Sequence, residues 1–160
     1  MNSLETELHR VAVRTFEELS FLLPEPELDP NRLSAPVSAA VGVPFRGPVN
    51  GRLVVAVTED ILLAVASNML AEDDLPTDQQ QQDALKEIAN VICGNLLPQI
   101  AGPKAVFKIS APESLGSATV SGVGSEDSPA ARVHIGIDQG RADVMLFMST
   151  PSRNSGVHPL

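Results

Sequence analysis

The start of the chain has the hydrophobic pattern of an amphipathic helix. Its apolar positions, with one threonine, recur at spacings of three and four: Leu4, Leu8, Val11, Thr15, Leu19 and Leu22. Asn2 or Ser3 caps this predicted helix, and Pro24 stops it. Further prolines among polar residues predict an ordered connector over residues 24–36, too short to be a domain boundary.

Two segments of alternating hydrophobic residues come next, over residues 41–45 and 53–57. Alternation with a period of two is typical of a β-strand with one buried face. Between the segments, the dipeptide Asn50-Gly51 suits the positive φ angles of a tight turn, so the sequence predicts a β-hairpin that turns there. Thr58 or Asp60 can then cap a second helix, predicted from an apolar segment over residues 61–70 that ends in an acidic run.

A third helix is predicted to begin at Thr77, because Thr77 and Gln80 have the spacing of a capping box. Pro98 is expected to end or kink this helix, since proline lacks the backbone donor and its ring clashes with the preceding turn. Gly102-Pro103 is expected to be its final stop.

The rest of the chain carries only strand patterns, separated by Gly, Pro, Asp and Ser clusters: residues 106–109, 117–123, 132–137 and 142–148. The last two flank residues 138–140, which suggests another hairpin. Three helices and about six strands, in runs and not in strict alternation, predict an α+β domain with a mostly antiparallel sheet covered by helices. We expect this single domain to span residues 1–148 and residues 149–160 to be a disordered tail.

The 160-residue chain has the size of one domain, and its 11 Lys and Arg against 20 Asp and Glu give a net charge of −9. This acidity disfavours nucleic acid and anionic membranes as partners, because both are negatively charged. The longest apolar run, residues 61–66, is far shorter than the roughly 20 residues that span a bilayer, and the N-terminus has no signal-like apolar segment. With one cysteine and no possible internal disulfide, the expected location is the cytoplasm.

The third helix has two opposite faces. At about 100° per residue, Asp83, Glu87, Asn90 and Gly94 form a narrow stripe. The opposite arc is apolar and is predicted to pack on the sheet: Leu85, Ile88, Ile92 and Leu96. Asn and Gly are poor helix formers, and on an exposed face no packing within the chain offsets this cost. Their presence therefore favours a face that meets a partner over one that meets only solvent. By geometry alone, an ordinary solvated helix face remains the alternative interpretation.

The stripe is part of a longer motif. Asp83-x3-Glu87-x2-Asn90, followed by Gly94, resembles the signature helix of the CheX/CheC-type chemotaxis phosphatases, whose pattern is D/S-x3-E-x2-N. A proline that lies about 22 residues further on in that family is matched here by Pro112, after 21 intervening residues. The order of helices and strands is similar over most of the predicted domain.

The resemblance implies hydrolysis of the aspartyl phosphate on a CheY-like receiver domain, a dephosphorylation step of two-component signalling. It implies that Asn90 orients the attacking water and that Glu87 docks against the active-site lysine of the receiver. Asp83, Gly94 and Pro112 would contact this partner. The alternative for Asp83 is a first-turn acid that interacts favourably with the helix dipole. The resemblance implies no cofactor in the chain itself, since the receiver supplies a divalent metal, expected to be Mg²⁺.

The resemblance is closer to single-site CheX than to CheC-like members, which carry two copies of the motif. The first helix has Phe21 three residues after Glu18, where an asparagine would be needed, and Asn68 of the second helix follows Val65 in place of a glutamate. Similarity to CheX also implies a homodimer, with the C-terminal hairpin as a candidate sheet edge. A monomer, or burial of that hairpin under the first helix, remains the alternative.

Other candidate chemistry is weaker. His9, His134 and His158 lie in different segments without paired ligand spacing, so no zinc site is predicted. Cys93 is expected to be a small buried hydrophobe, because no neighbour in sequence is placed to lower its pKa. The competing function is a non-catalytic module that docks a receiver or a flagellar-switch-like component through the third helix.

Overall fold

The computed structural model describes residues 2–25, 29–71, 74–116, 128–137 and 140–149. The helical elements are α1 (Ser3–Ser20), a 3₁₀ helix (Pro30–Ser34), α2 (Glu59–Leu70) and α3 (Asp78–Ala101). The strands are β1 (Ala39–Arg46), β2 (Asn50–Val57), β3 (Lys108–Ile109), β4 (Glu113–Leu115), β5 (Ala131–Ile137) and β6 (Gly140–Ser149). The strand predicted over 117–123, residues 138 and 139 of the predicted hairpin, and residues 150–160 of the predicted tail lie outside the described residues. Ser149, predicted as the first residue of the tail, belongs to β6.

All strand pairs of the sheet are antiparallel, and the order is β3-β1-β2-β6-β5, with β4 also paired to β1. The long central strands β1, β2 and β6 are joined in continuous register, from Ala39 opposite Val57 to Val57 opposite Ala142. This confirms the predicted fold class, an α+β domain with three α-helices and a mostly antiparallel sheet of about six strands. The 3₁₀ helix and β4 were not predicted.

The three α-helices cover one face of the sheet and form the main core with it. The largest fully buried side chains are almost all aliphatic, apart from two phenylalanines: Phe16, Phe45, Leu8, Leu53, Ile61, Leu85, Ile88, Ile92, Leu96, Leu97, Ile137 and Leu146. Burying each aliphatic side chain of this kind stabilises the fold by roughly 1.5–3 kcal/mol. The position of α3 is therefore fixed by its apolar arc.

The turn of the first hairpin lies three residues earlier than predicted. Asn50 and Gly51 already belong to β2, and the chain reverses over residues 47–49. Gly51 is required for a different reason than a positive φ angle, because a Cβ atom there would lie 2.0 Å from the carbonyl oxygen of Phe147 on β6. The close approach of two strands accounts for this glycine.

The other face of the sheet carries a polar network that anchors the predicted connector. Arg141 Nε donates to Asp143 Oδ1 at 2.8 Å, and His134 Nδ1 lies 2.6 Å from the same oxygen. The second contact of Arg141 is the carbonyl oxygen of Arg32 in the 3₁₀ helix. Burial would raise the pKa of Asp143, but hydrogen bonds and positive charge from His134 and Arg141 lower it below its usual value. The 3₁₀ helix, which lies within the predicted connector, is thus held against the sheet, and His134 is an exposed sheet residue.

Pro98 does not end α3. The helix continues to Ala101 with Pro98 inside it. It stops at Gly102, the predicted stop, where φ is 96° and the backbone N–H donates to the carbonyl of Pro98 at 2.9 Å. Packing of Leu96 and Leu97 in the core, both at most 2% exposed, outweighs the local cost of the proline.

Candidate functional site

The start of α3 is fixed by the predicted capping box. The Thr77 hydroxyl accepts from the backbone N–H of Gln80 at 3.1 Å, and the Gln80 side chain accepts from the backbone N–H of Thr77 at 2.9 Å. Beyond this cap, one side of the helix is buried without interruption: Ala84, Leu85, Ile88, Ala89, Ile92, Cys93, Leu96 and Leu97. The cap and the buried side together determine which residues of α3 face outward.

The predicted stripe faces outward along α3. Asp83, Glu87, Asn90 and Gly94 are all exposed. Asp83 Oδ1 accepts from the Gln79 side chain at 2.9 Å. Within the described residues, the side chains of Glu87 and Asn90 make no hydrogen bond or ion pair. The structure therefore presents a carboxylate and an amide, less than one turn apart on a rigid helix, to a partner or to solvent.

Gly94 leaves the helix backbone open beside Asn90. A Cβ atom at Gly94 would have no heavy atom within 4 Å, once the helix's own nearby backbone is set aside. Pro98 lacks an N–H, so the Gly94 carbonyl has no i+4 helical donor. The fold of the chain itself therefore gives no steric reason for glycine at this position.

Pro112 is half-buried and lies directly before β4. Two residues further on, the hydroxyl of Ser114 donates to Gln82 Oε1 on α3 at 2.9 Å. Gln82 immediately precedes Asp83, so this hydrogen bond ties the segment that contains Pro112 to the first half of α3. The structure thus joins the strand that follows Pro112 to α3, and among the described residues it shows no hydrogen bond between Pro112 itself and the stripe.

On its other side, α3 forms a groove with the end of α2. The groove has a volume of about 260 Å³ and is lined by Met69, Leu70, Gln80, Asp83, Ala84 and Glu87. Both carboxylates of the stripe thus stand beside apolar side chains of α2. Sequence reasoning did not place Met69 and Leu70 in the site, because their pattern along α2 alone gives no information on where α2 meets α3.

Comparisons with known proteins identify the family of the chain. The family model for chemotaxis phosphatase CheX matches residues 37–128, more than half of the chain. The chain belongs to the CheX family. No curated protein sequence matches it significantly.

Solved structures of this family share the fold. A CheX from Desulfovibrio desulfuricans superposes with a TM-score of 0.68 at 16% identity, over 91% of this chain and 99% of that chain. A chain of the CheX–CheY–BeF3–Mg²⁺ complex from Borrelia burgdorferi matches with a TM-score of 0.64 at 17% identity, over 89% and 96% of the two chains. The FliM middle domain from Vibrio alginolyticus is also similar, with a TM-score of 0.55 at 12% identity, over 97% and 95%. The fold is therefore shared by phosphatase-family proteins and a FliM domain.

Two residues outside the stripe, Asn68 and Cys93, have structural roles. Asn68 Nδ2 donates to the Ser20 carbonyl at 2.8 Å, so it satisfies the C-terminal end of α1. Cys93 is 1% exposed, and burial raises the pKa of its thiol to about 12, far from that of a nucleophile. Across the described ranges, no group of three or more His, Cys, Asp or Glu could hold a metal ion, and no helix is long and apolar enough to cross a membrane.

We expect Gly94→Ala to raise the free energy of unfolding by up to about 1 kcal/mol, because alanine is the better helix former and its methyl group meets no neighbour. Chemical denaturation of the wild type and of Gly94→Ala measures the difference in the free energy of unfolding. The matched control is Gly51→Ala, which should destabilise the protein because its Cβ would lie 2.0 Å from the Phe147 carbonyl oxygen. A destabilised Gly94→Ala protein would show that the chain needs this glycine for its own fold.

Proposed function

We propose that this CheX-family protein hydrolyses the aspartyl phosphate of a CheY-like receiver, using Asn90 and Glu87 of α3. The observation that carries the proposal is the exposure of both side chains on one face of a rigid helix, without a partner among the described residues. The similarity to a CheX chain crystallised with CheY supports the class of partner. A receiver substrate would place the protein in the cytoplasm.

The reaction needs little from the phosphatase beyond positioning. Water attacks the phosphorus, the bond between phosphorus and the aspartate oxygen breaks, and the products are a free carboxylate, inorganic phosphate and a proton. The carboxamide of Asn90 can accept a hydrogen bond from this water and donate one to it, which holds the water in line with the breaking bond. An acyl phosphate is already activated, so no strong base is required.

Glu87 supplies the docking charge. It would pair with the active-site lysine of the receiver, whose divalent metal, Mg²⁺ in this proposal, neutralises the phosphoryl oxygens. Asp83, Gly94 and Pro112 would border the same contact, with Gly94 giving the receiver room beside Asn90. A receiver titration with Asp83→Ala, Gly94→Ala and Pro112→Ala tests these contacts, and unchanged affinity in all three contradicts them.

Asn90→Ala should abolish turnover while the protein stays folded and still binds the receiver. Asn90 is exposed and alanine is the better helix former, so stability should be unchanged or slightly higher. The measurement is the loss of phosphoryl groups from a receiver phosphorylated with acetyl phosphate and Mg²⁺, at catalytic amounts of phosphatase. The matched control is Asn95→Ala, an exposed asparagine on the same helix but outside the stripe, which should keep wild-type turnover. Full activity in Asn90→Ala would remove Asn90 from the mechanism.

Glu87→Ala should weaken receiver binding and also lower turnover, because the lost charge pair sets both the encounter and the register of the two proteins. Added salt should reproduce part of this loss in the wild type and have less effect on the variant. Binding to the receiver with BeF3 and Mg²⁺ is titrated at several ionic strengths. Glu17→Ala removes one exposed carboxylate from α1 and controls for net charge. Affinity that responds to neither Glu87→Ala nor salt contradicts the pairing.

The alternative is a non-catalytic module that docks a receiver or a flagellar-switch component through the same helix. The similarity to a FliM middle domain favours it to the extent that the fold also occurs outside the phosphatases. The presence of both Glu87 and Asn90 favours the enzyme, since a docking surface has no need of an amide there. Saturable receiver binding without faster phosphoryl loss would support the module.

We also propose a homodimer through the edge strand β5. Its outer edge is occupied at both ends, since Gly136 O accepts from the Glu25 backbone at 2.8 Å and the Arg132 backbone donates to Glu5 Oε2 at 3.4 Å. The main-chain groups of successive residues in a strand point to opposite sides, so the N–H and carbonyl of His134, between these two contacts, also point outward. A second copy could pair with them. Light scattering should give twice 16.9 kDa, and a mass near 16.9 kDa at every concentration contradicts the dimer.

A further inference from the structure

The groove between α2 and α3 has the composition of a protein-docking site. Its apolar part is formed by Met69, Leu70 and Ala84, and its polar part includes Asp83 and Glu87. At about 260 Å³, it is smaller than the roughly 300–1,000 Å³ of typical small-molecule pockets. A groove of this size and lining fits one or two side chains of a protein better than a cofactor.

Further leucines on α2 and in its connection to α3 are exposed. Leu70 is 36% exposed at the end of α2, and Leu75, in the connection to α3, is 79% exposed. Leu63, 37% exposed, lies seven residues before Leu70 and therefore on the same side of α2. Leu63 and Leu70 thus place two exposed apolar side chains on one side of α2, and exposed apolar surface next to a groove is a feature of interaction sites.

We propose that the end of α2, with Leu70 at its centre, is the apolar half of the receiver-docking surface. The inference rests on the proposed function, because Glu87 lines both the groove and the stripe. The occupant is the receiver domain, which would place an aliphatic or aromatic side chain in the groove, next to the basic group that pairs with Glu87. The residues that line the groove include two carboxylates and no basic side chain, which matches a basic group on the receiver.

The two halves of the surface would act differently on binding. Charge at Glu87 and Asp83 speeds the encounter and is weakened by salt. Burial of Leu70 is not screened by salt, so it holds the complex after the encounter and slows dissociation. Leu70 is thus a positioning residue that discriminates among receivers by the shape of the side chain next to their basic group.

The test is Leu70→Gln, assayed on a CheY-like receiver that the wild-type protein dephosphorylates. We expect binding to the BeF3–Mg²⁺ form of this receiver to weaken about fivefold to tenfold. The complex would no longer bury the part of Leu70 that is exposed in the free protein, and a polar group would enter the groove. The dissociation rate should rise, the salt dependence should match that of the wild type, and kcat should change little. Leu70→Met, which keeps an apolar side chain, should restore most of the affinity.

The matched control is Leu33→Gln, the same substitution at a half-exposed leucine in the 3₁₀ helix anchored to β6 by Arg141. It should leave receiver binding unchanged, and thermal unfolding shows whether both variants fold. A folded Leu70→Gln protein with wild-type affinity, or an equal loss in Leu33→Gln, would overturn the inference while the phosphatase assignment stands. If the wild type dephosphorylates no CheY-like receiver, it is the proposed function that fails.

Discussion

The structure depends on burial of one side of α3 against the sheet. Leu85, Ile88, Ile92 and Leu96 are each 0% exposed. A rotation of the helix by one residue, about 100°, would expose part of this arc and move Glu87 toward the core, where an unpaired charge is very costly. Hydrophobic burial therefore fixes the direction in which the polar stripe points. The candidate site needs no interaction of its own to stay in place.

This arrangement separates stability from function within a single helix. Asn90 and Gly94 are poor helix formers on the exposed side, and Pro98 removes one hydrogen bond of the last turns. The capping box at Thr77 and the continuous buried side compensate for these local costs. Side chains on a helix held in this way are more rigid than side chains on loops, which would suit an amide that positions a water, the role proposed for Asn90.

The parts of the molecule that were predictable from sequence are those that local forces determine. The capping box of Thr77 and Gln80, the stop of α3 at Gly102 and the two faces of α3 follow from the identity and spacing of nearby residues. The turn of the first hairpin was misplaced because the reason for Gly51 lies on β6, at Phe147. The groove beside Glu87 and the anchoring of Arg32 by Arg141 also depend on segments that are distant in sequence. Periodicity carries no information on such contacts.

A fold shared with a FliM domain does not determine a reaction, so the chemistry has to come from the exposed side chains. In the proposed reaction, the receiver contributes the phosphoryl group, the metal and the lysine, and the phosphatase adds one oriented amide. Rate would then depend on Asn90, and choice of partner on Glu87 and the apolar end of α2. Because these groups lie on two packed helices, the surface around Leu70 can change to suit another receiver without moving the amide. A single rigid site could in this way serve different receivers.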